Sequence, residues 1–372
     1  SGVTPLRVYP AGALAENPRM NALSSLLGTD FPLIQAPMAG VQGAALAVAV
    51  SNAGALGSLP CAMLAPDALE RELTALAAGT ARPYNVNFFC HTPPVPDEAR
   101  EAAWRAWLAT YYREAGLDID AVPAGPGRVP FNSTSANLLE RFKPKVVSFH
   151  FGLPDLDLLD RVKSWGSVVL ASATTVEEAH WLEAFGADVI IAQGVEAGGH
   201  RGMFLTDDLT TQVGTFALLP QIVAAVSLPV VAAGGIADAA GVAAAMALGA
   251  SGVQVGTAYL CSNEATTSAL HRAALQSEAA HHTALTHLFT GRPARGIVNR
   301  VMRELGPMNP VAPAFPLAGA AMAPLRAHWE AKGSGDFSPL WSGQNASGCR
   351  EVPAAQLVNE LVQGFSARPA TR

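Results

Sequence analysis

The sequence contains little cysteine. Its four cysteines, Cys61, Cys90, Cys261 and Cys349, lie far apart in 372 residues and form neither a C-x-x-C pair nor a zinc-ligand spacing. Such isolated cysteines are typical of free thiols rather than of a disulfide framework or a structural metal site. We therefore expect a reducing compartment, the cytoplasm, and no bound metal.

Charge is also scarce, and positive charge in particular. Only 15% of the residues are charged, and 24 Lys and Arg against 30 Asp and Glu leave a net charge of −6. An average soluble domain has about 25% charged residues. The acidic balance excludes a general electrostatic attraction to nucleic acid or to anionic membranes, so we expect neither as a partner.

One uncharged stretch is long enough to span a membrane, but its composition argues against a span. It runs from Leu209 to Ala237 and is interrupted by Pro220, by Pro229 and by the pair Gly234–Gly235. Such a stretch is typical of a buried helix, turn and strand. We therefore expect no membrane anchor there.

Half of the residues are hydrophobic, and they are arranged with a regular alternation between residues 32 and 258. Short apolar runs alternate with Ala- and Leu-rich segments of helical period, which predicts βαβ units and a parallel sheet. The predicted strands cover residues 33–36, 55–59, 84–88, 146–150, 168–171, 189–193, 230–233 and 253–255. The predicted helices cover residues 44–52, 66–78, 156–165, 176–185, 215–226 and 239–248.

Eight strands are the number that closes a TIM (β/α)8 barrel. A doubly wound sheet is the competing α/β fold, but no G-x-G-x-x-G follows the first strand and no phosphate-binding G-x-x-x-x-G-K-[ST] motif occurs. We predict a barrel over residues 1–262 with an inserted helix and loop at about 92–130. Residues 263–372 are predicted to form a mainly helical C-terminal subdomain and tail that pack on the barrel.

In such barrels the active site lies where the strands end. Gly234–Gly235 follow the seventh predicted strand and Gly256–Thr257 follow the eighth. Glycine lets backbone N–H groups approach an anion, so two such pairs predict a phosphate site. The alternative is that each pair only permits a tight turn.

Other strand ends carry groups suited to a flat heterocycle. Asn87 and Gln193 offer the donor and acceptor of a neutral amide, and Met38 offers a polarisable sulfur to a ring face. Each has a structural alternative, which is loop capping for the amides and core packing for Met38.

Two histidines, His150 and His200, end the fourth and sixth strands. Strands of the same parity supply the same inward layer, so their imidazoles are predicted to converge over the barrel mouth. Histidine is the usual general acid or base near neutral pH. A lone histidine is more often structural, but two at strand ends beside glycine loops favour catalysis.

Five strand-end segments resemble those of a known family, the nitronate monooxygenases, formerly called 2-nitropropane dioxygenases. The segments are QAPMAG at 35–40, SFHFG at 148–152, QGVEAGGH at 193–200, AAGGI at 232–236 and QVGT at 254–257. Members of this family are FMN-dependent TIM barrels. The second and third segments are similar to those of class I, as is PLWSGQ at 339–344.

This resemblance implies a set of FMN contacts at the strand ends, and it implies that His200 is catalytic and that His150 shares the active site. The implied FMN contacts are Met38, Asn87, Gln193, Gly198, Gly199, Gly234, Gly235, Gln254, Gly256 and Thr257.

The activity that the resemblance implies is the oxidation of alkyl nitronates by O2 to a carbonyl compound and nitrite. Propionate 3-nitronate and nitroalkanes such as 2-nitropropane are further candidate substrates. One alternative is an NAD(P)H-dependent flavin reductase of the quinone or enoyl type, and another is a flavin-free barrel isomerase or lyase acting on a phosphorylated metabolite. A non-catalytic ligand-binding barrel is disfavoured by the two histidines.

Overall fold

The computed structural model describes residues 18–122 and 127–366. The strands are β1 Leu33–Gln35, β2 Gly57–Pro60, β3 Tyr84–Phe89, β4 Val146–His150, β5 Val168–Ala173, β6 Val189–Gln193, β7 Gly199–His200, β8 Val230–Ala233, β9 Gly252–Val255, β10 Thr283–Thr286 and β11 Ala294–Ile297. The α-helices are α1 Pro18–Leu27, α2 Ala44–Asn52, α3 Pro66–Gly79, α4 Glu98–Ala115, α5 Ser133–Phe142, α6 Leu156–Ser164, α7 Val176–Ala184, α8 Thr215–Ala225, α9 Ala239–Ala247, α10 Ala269–Leu275, α11 Arg300–Leu305, α12 Gly319–Ala331 and α13 Ala354–Leu361.

The eight predicted strands form one parallel sheet that closes on itself. Its order is β1-β9-β8-β6-β5-β4-β3-β2, and a parallel bridge between Ile34 and Leu56 joins its two ends. The N–H of Gln35 donates to the carbonyl of Leu56 across this closure at 2.9 Å. The predicted TIM barrel is confirmed, and each predicted strand agrees with the observed one to within two residues.

The barrel strands are buried on both faces, as the strands of parallel sheets are. Inside the barrel, the side chains of Ile34, Leu170, Ile191 and other apolar residues pack together. Helix α1, which the sequence pattern did not predict, adds Leu23 and Leu27 to this inner core. Apolar packing on both sides of the sheet explains why the chain carries so little charge.

The ring of helices outside the barrel is completed from the far end of the chain. Helix α13 packs against α2 and α9, and its Leu357, Val358 and Leu361 belong to the same core as Leu46 and Val242 of those helices. Part of the C-terminal segment therefore takes the place of the eighth barrel helix. The predicted domain boundary at residue 262 stays a prediction.

The inserted segment and the rest of the C-terminal segment share a second core. Trp104 and Tyr112 of α4 pack with Met322 and Leu325 of α12. The indole N–H of Trp104 donates to the Ala318 carbonyl at 3.3 Å, and the Tyr112 hydroxyl donates to the Ala321 carbonyl at 2.6 Å. The two additions to the barrel thus form one structure. Residues 1–17, 123–126 and 367–372 of the predicted segments lie outside the described residues.

A small antiparallel sheet connects this second structure to the barrel. Its order is β10-β11-β7, with Ala294 paired with His200 and Arg295 with Gly199. The sequence pattern predicted none of these three strands. Among the described helices, none has both the length and the apolarity needed to cross a membrane.

Glycine at position 57 is required by the close packing of α2 on β2. A Cβ atom there would lie 2.0 Å from the carbonyl oxygen of Ala47. We predict that Gly57→Ala lowers the free energy of unfolding by about 1–3 kcal/mol or more, because overpacking a tight contact forces the backbone to move. Thermal unfolding of the purified variant measures this effect.

Gly241→Ala is the matched control for this substitution. Position 241 lies in α9, and the nearest atoms to an added Cβ are at 3.4 Å, an ordinary contact. Alanine is favoured over glycine within a helix by about 1 kcal/mol, so this variant should be at least as stable as the original. Equal stability of the two variants would contradict the packing argument.

Candidate active site

A deep cleft opens at the rim of the barrel where the parallel strands end. Its empty volume, including the open mouth, is ≈ 1860 Å³. All twelve site residues predicted from the sequence line it, namely Met38, Asn87, His150, Gln193, Gly198, Gly199, His200, Gly234, Gly235, Gln254, Gly256 and Thr257. The fold brings them together in one place, while their individual roles stay predictions.

The glycine loops form one wall of this cleft. Gly234 and Gly235 have φ angles of +116° and +77°, which side chains with a Cβ rarely adopt. A third segment, residues 342–345, packs against both glycine loops. Asn345 Nδ2 donates to the Gly235 carbonyl at 3.1 Å, and the Gly343 N–H donates to Thr257 Oγ1 at 2.9 Å. We call these three segments, 234–235, 256–257 and 342–345, the glycine wall.

The amide of Gln193 holds the loop that follows β6. Its Nε2 donates to the His200 carbonyl at 3.0 Å, and its Oε1 accepts from the Gly202 N–H at 2.7 Å. These contacts agree with the loop-capping interpretation of Gln193. Contact between Gln193 and a flat heterocycle stays a prediction.

Two other side-chain amides, those of Asn87 and Gln254, differ in their hydrogen-bond partners. Asn87 Nδ2 donates to the hydroxyl of Ser148 at 2.9 Å and to its carbonyl at 3.2 Å. Gln254 Oε1, in contrast, is buried and accepts no hydrogen bond from any described residue. Buried polar atoms nearly always have a partner, so Gln254 presents an unused acceptor to whatever occupies the cleft.

His150 is a neutral, fixed side chain. Its Nε2 lies 3.1 Å from the His200 carbonyl and its Nδ1 lies 3.1 Å from the hydroxyl of Ser172. A carbonyl only accepts, so Nε2 carries the proton and Nδ1 accepts from Ser172. Burial lowers the pKa of His150 to about 4. His150 therefore holds the backbone of His200 through this hydrogen bond.

Four aromatic rings surround the imidazole of His200. The ring centroids of Phe315, Trp341, Phe89 and Phe151 lie 5.5, 5.7, 6.0 and 6.0 Å from that of His200. We call these four residues the aromatic cage. A cage of this kind limits the access of water to the imidazole.

The tautomer of His200 follows from its neighbour Thr290. The Thr290 hydroxyl lies 3.3 Å from the Arg292 carbonyl, to which it can only donate, and 3.0 Å from His200 Nε2. His200 Nε2 then donates to Thr290 Oγ1, which leaves the lone pair on Nδ1. The network assigns Nδ1 as the basic atom of His200.

Two arginines supply the positive charge near His200. Arg128 lines the cleft. The Cζ atom of Arg292 lies 3.9 Å from the ring centroid of Phe151. Phe151 itself has a φ of +69°, which is unusual for a bulky residue. Burial first, and then the charge of Arg128, lower the pKa of His200 well below its ordinary value. The imidazole is therefore neutral at neutral pH, and the cations of the site are the arginines.

Sequence reasoning missed several of these residues. Thr290 and Arg292 follow no strand of the barrel, and Arg128 lies in the inserted segment, so the search of strand ends did not reach them. A signal was present for Arg292, because it and Arg295 are the only arginines or lysines between residues 279 and 299. An isolated arginine in an apolar segment is a candidate for a buried, functional cation.

Within residues 18–122 and 127–366, no three His, Cys, Asp or Glu side chains come together in a way that could hold a metal ion. The four cysteines are free thiols. The cleft itself is lined by histidines, arginines, amides and the glycine wall.

Comparison with known proteins agrees with this arrangement. The sequence model of the family described as nitronate monooxygenase matches residues 20–364. Nitronate monooxygenase from Paraburkholderia phytofirmans is 44% identical over 350 residues, covering 91% of this chain and 93% of the relative. Nitronate monooxygenase from Pseudomonas aeruginosa is 44% identical over 344 residues, covering 91% and 97%.

Solved structures show the same likeness. Nitroalkane oxidase from Streptomyces ansochromogenes superposes with a TM-score of 0.84 at 38% identity, over 92% of this chain and 97% of that one. FabK from Thermotoga maritima superposes with a TM-score of 0.70 at 26% identity, over 92% and 95%. The chain belongs to the nitronate monooxygenase family, a family of flavoenzymes, and is an oxidoreductase.

Proposed function

We propose that this enzyme binds FMN and uses O2 to oxidise alkyl nitronates to a carbonyl compound and nitrite. The observation that carries the proposal is the position of His200. It is a half-buried, neutral imidazole in the aromatic cage, and it lines the same cleft as the glycine wall. Membership of the nitronate monooxygenase family supports the same reaction.

The cleft has the features that FMN requires. It is lined by residues from the ends of the barrel strands and from the C-terminal segment, and ligand pockets of such barrels lie at this rim. The glycine wall suits the phosphate, because glycine lets backbone N–H groups approach an anion. The unused acceptor on Gln254 suits a ring N–H, and Met38 suits a ring face.

When bound, FMN supplies the redox chemistry by accepting electrons from the substrate and passing them to O2. The chain supplies position, water exclusion and proton transfer. For a neutral nitroalkane, His200 removes the α-proton at Nδ1, while Thr290 Oγ1 accepts from its Nε2–H at 3.0 Å. A nitronate has already lost that proton, so His200 then only positions it.

His200→Asn tests this assignment. We expect kcat/KM for neutral nitroethane to fall by about 10²–10⁴-fold, the usual loss when a general base is removed. Turnover of ethyl nitronate should fall less, because no proton has to be removed. Initial rates of nitrite release with each substrate measure the two effects.

His180→Asn, an exposed position on α7, is the control and should behave as the original enzyme. A His200→Asn enzyme that keeps its flavin and turns over both substrates at the original rate would show that His200 is not the base.

Gln254→Leu tests the cofactor site. Loss of a neutral hydrogen bond should raise the Kd for FMN by about 3- to 10-fold, since such bonds contribute about 0.5–1.5 kcal/mol. The apoprotein should be as stable as before or more so, because the substitution removes a buried oxygen without a partner. Fluorescence titration of the apoprotein and thermal unfolding measure the two quantities.

Gln221→Leu, at an exposed position on α8, is the matched control and should change neither the Kd nor the stability of the apoprotein. An unchanged Kd in Gln254→Leu would exclude Gln254 from the cofactor site. A destabilised apoprotein would show that its side chain has a structural role instead.

Anaerobic mixing distinguishes the proposed reaction from a nicotinamide-dependent one. We expect ethyl nitronate to change the flavin absorbance near 450 nm and NADPH to leave it unchanged, because the substrate itself is the electron donor in the proposed reaction. Rapid bleaching by NADPH alone would favour the flavin reductase alternative. A colourless protein that cannot be reconstituted with FMN would favour a flavin-free barrel.

A further inference from the structure

Arg128 is a cation that the cleft leaves without a counter-charge. It lines the cleft together with His200, and among the described residues no carboxylate lies within ion-pair distance of its guanidinium. Burial lowers the pKa of Arg128. Burying a charge without a partner is costly, so a ligand of opposite charge is the partner that the structure lacks.

The backbone on both sides of Arg128 is held in place. His91 Nε2 donates to the Arg128 carbonyl at 2.8 Å, and the Phe131 N–H donates to the Phe89 carbonyl at 2.8 Å. These contacts attach the end of the inserted segment to the end of β3. Arg128 therefore lies in a part of the cleft whose backbone is fixed by hydrogen bonds.

The guanidinium is also held close to the reacting side of the cleft. Its Cζ lies 5.3 Å from the centroid of Phe315, and Phe315 lies 5.5 Å from His200. Its charge acts on His200 strongly enough to contribute to the lowered pKa of that imidazole. A substrate that contacts His200 within the aromatic cage is therefore within reach of Arg128.

The histidines around this position carry no charge that could attract an anion. Burial lowers the pKa of His91, His150 and His200 alike. Arg292 lies against Phe151 and donates to the Met203 carbonyl, and it does not line the cleft. Arg326 lines the cleft but is paired with Glu330 at 2.8 Å. Arg128 is therefore the lining arginine whose charge is free for a bound anion.

We propose that Arg128 is a specificity-determining residue that binds the two nitro oxygens of the nitronate and selects this anion over the neutral nitroalkane. The proposal rests on the proposed function. A nitronate carries its charge on two oxygens in one plane, as a carboxylate does. The planar fork of N–H donors on arginine matches this arrangement, whereas lysine offers only a point charge.

Arg128 comes from the segment inserted into the barrel, and the choice of substrate form is then a property of that segment. The ends of the barrel strands line the proposed cofactor site and the pairing of β7 with β11 positions His200, while the insertion supplies the charge. Exchange of Arg128 should therefore alter substrate binding without altering the redox chemistry.

Steady-state kinetics with Arg128→Met and Arg128→Lys test the proposal. We expect Arg128→Met to raise the KM for ethyl nitronate by about 10- to 100-fold with little change in kcat, the size of a lost charged hydrogen bond. The kcat/KM for neutral nitroethane should fall less, because charge develops on its nitro oxygens only as His200 removes the α-proton. Arg128→Lys should recover part of the loss. Arg141→Met, which removes an exposed arginine paired with Glu70, is the control and should match the original enzyme.

Either of two kinetic outcomes would overturn the proposal. One is an unchanged KM for ethyl nitronate in Arg128→Met, and the other is an equal loss with neutral nitroethane. An increase in KM for propionate 3-nitronate alone would also overturn it, because Arg128 would then bind a second anionic group and not the nitro oxygens.

Calorimetric titration of ethyl nitronate into enzyme whose flavin has been reduced beforehand, under anaerobic conditions, separates this inference from the proposed function, because no electron transfer then adds to the measured heat. We expect the original enzyme to bind the nitronate and Arg128→Met to bind it about 10- to 100-fold more weakly. Binding that depends on Arg128 without turnover in air would reject the proposed reaction and keep the role of Arg128. Equal binding by both enzymes, or none by the original enzyme, would reject that role.

Discussion

The antiparallel pairing of β7 with β11 is the contact on which the rest of the site depends. It attaches the main chain of His200 to Ala294, in a segment almost a hundred residues further along the chain. Because Thr290 and Arg292 directly precede that strand, the same pairing places them beside the imidazole. The carbonyl of His200 is held from the barrel side by His150 and Gln193. The histidine is thus fixed from both sides.

Burial decides the chemical state of this histidine. An imidazole in water titrates near pH 6.5, but the aromatic cage and two neighbouring arginines disfavour its charged form. A neutral imidazole can accept a proton without first losing one, although it cannot hold an anion by charge. The site therefore divides two tasks between two residue types, with the lone pair on His200 and the positive charge on Arg128.

The inserted segment and the C-terminal segment pack together on the barrel. Helix α4 of the inserted segment and α12 of the C-terminal segment share a core, and Arg128 and Phe315 of the same two segments lie together beside His200. Helix α13 meanwhile completes the ring of barrel helices. The length of the chain beyond a minimal barrel thus completes the ring of helices and adds one wall to the cleft.

The sequence by itself determined the barrel and the set of strand-end residues that line the cleft. Hydrophobic period is a local signal, and the carboxyl ends of parallel strands meet at one rim in any closed barrel, so Gly235, Gln254 and His200 could be placed together without coordinates. Only the tertiary structure decided the pairing of β7 with β11, the position of Arg128 and the charge of His200. Each of these depends on contacts between segments distant in sequence, and on the water that those contacts exclude, which no local pattern of residues records.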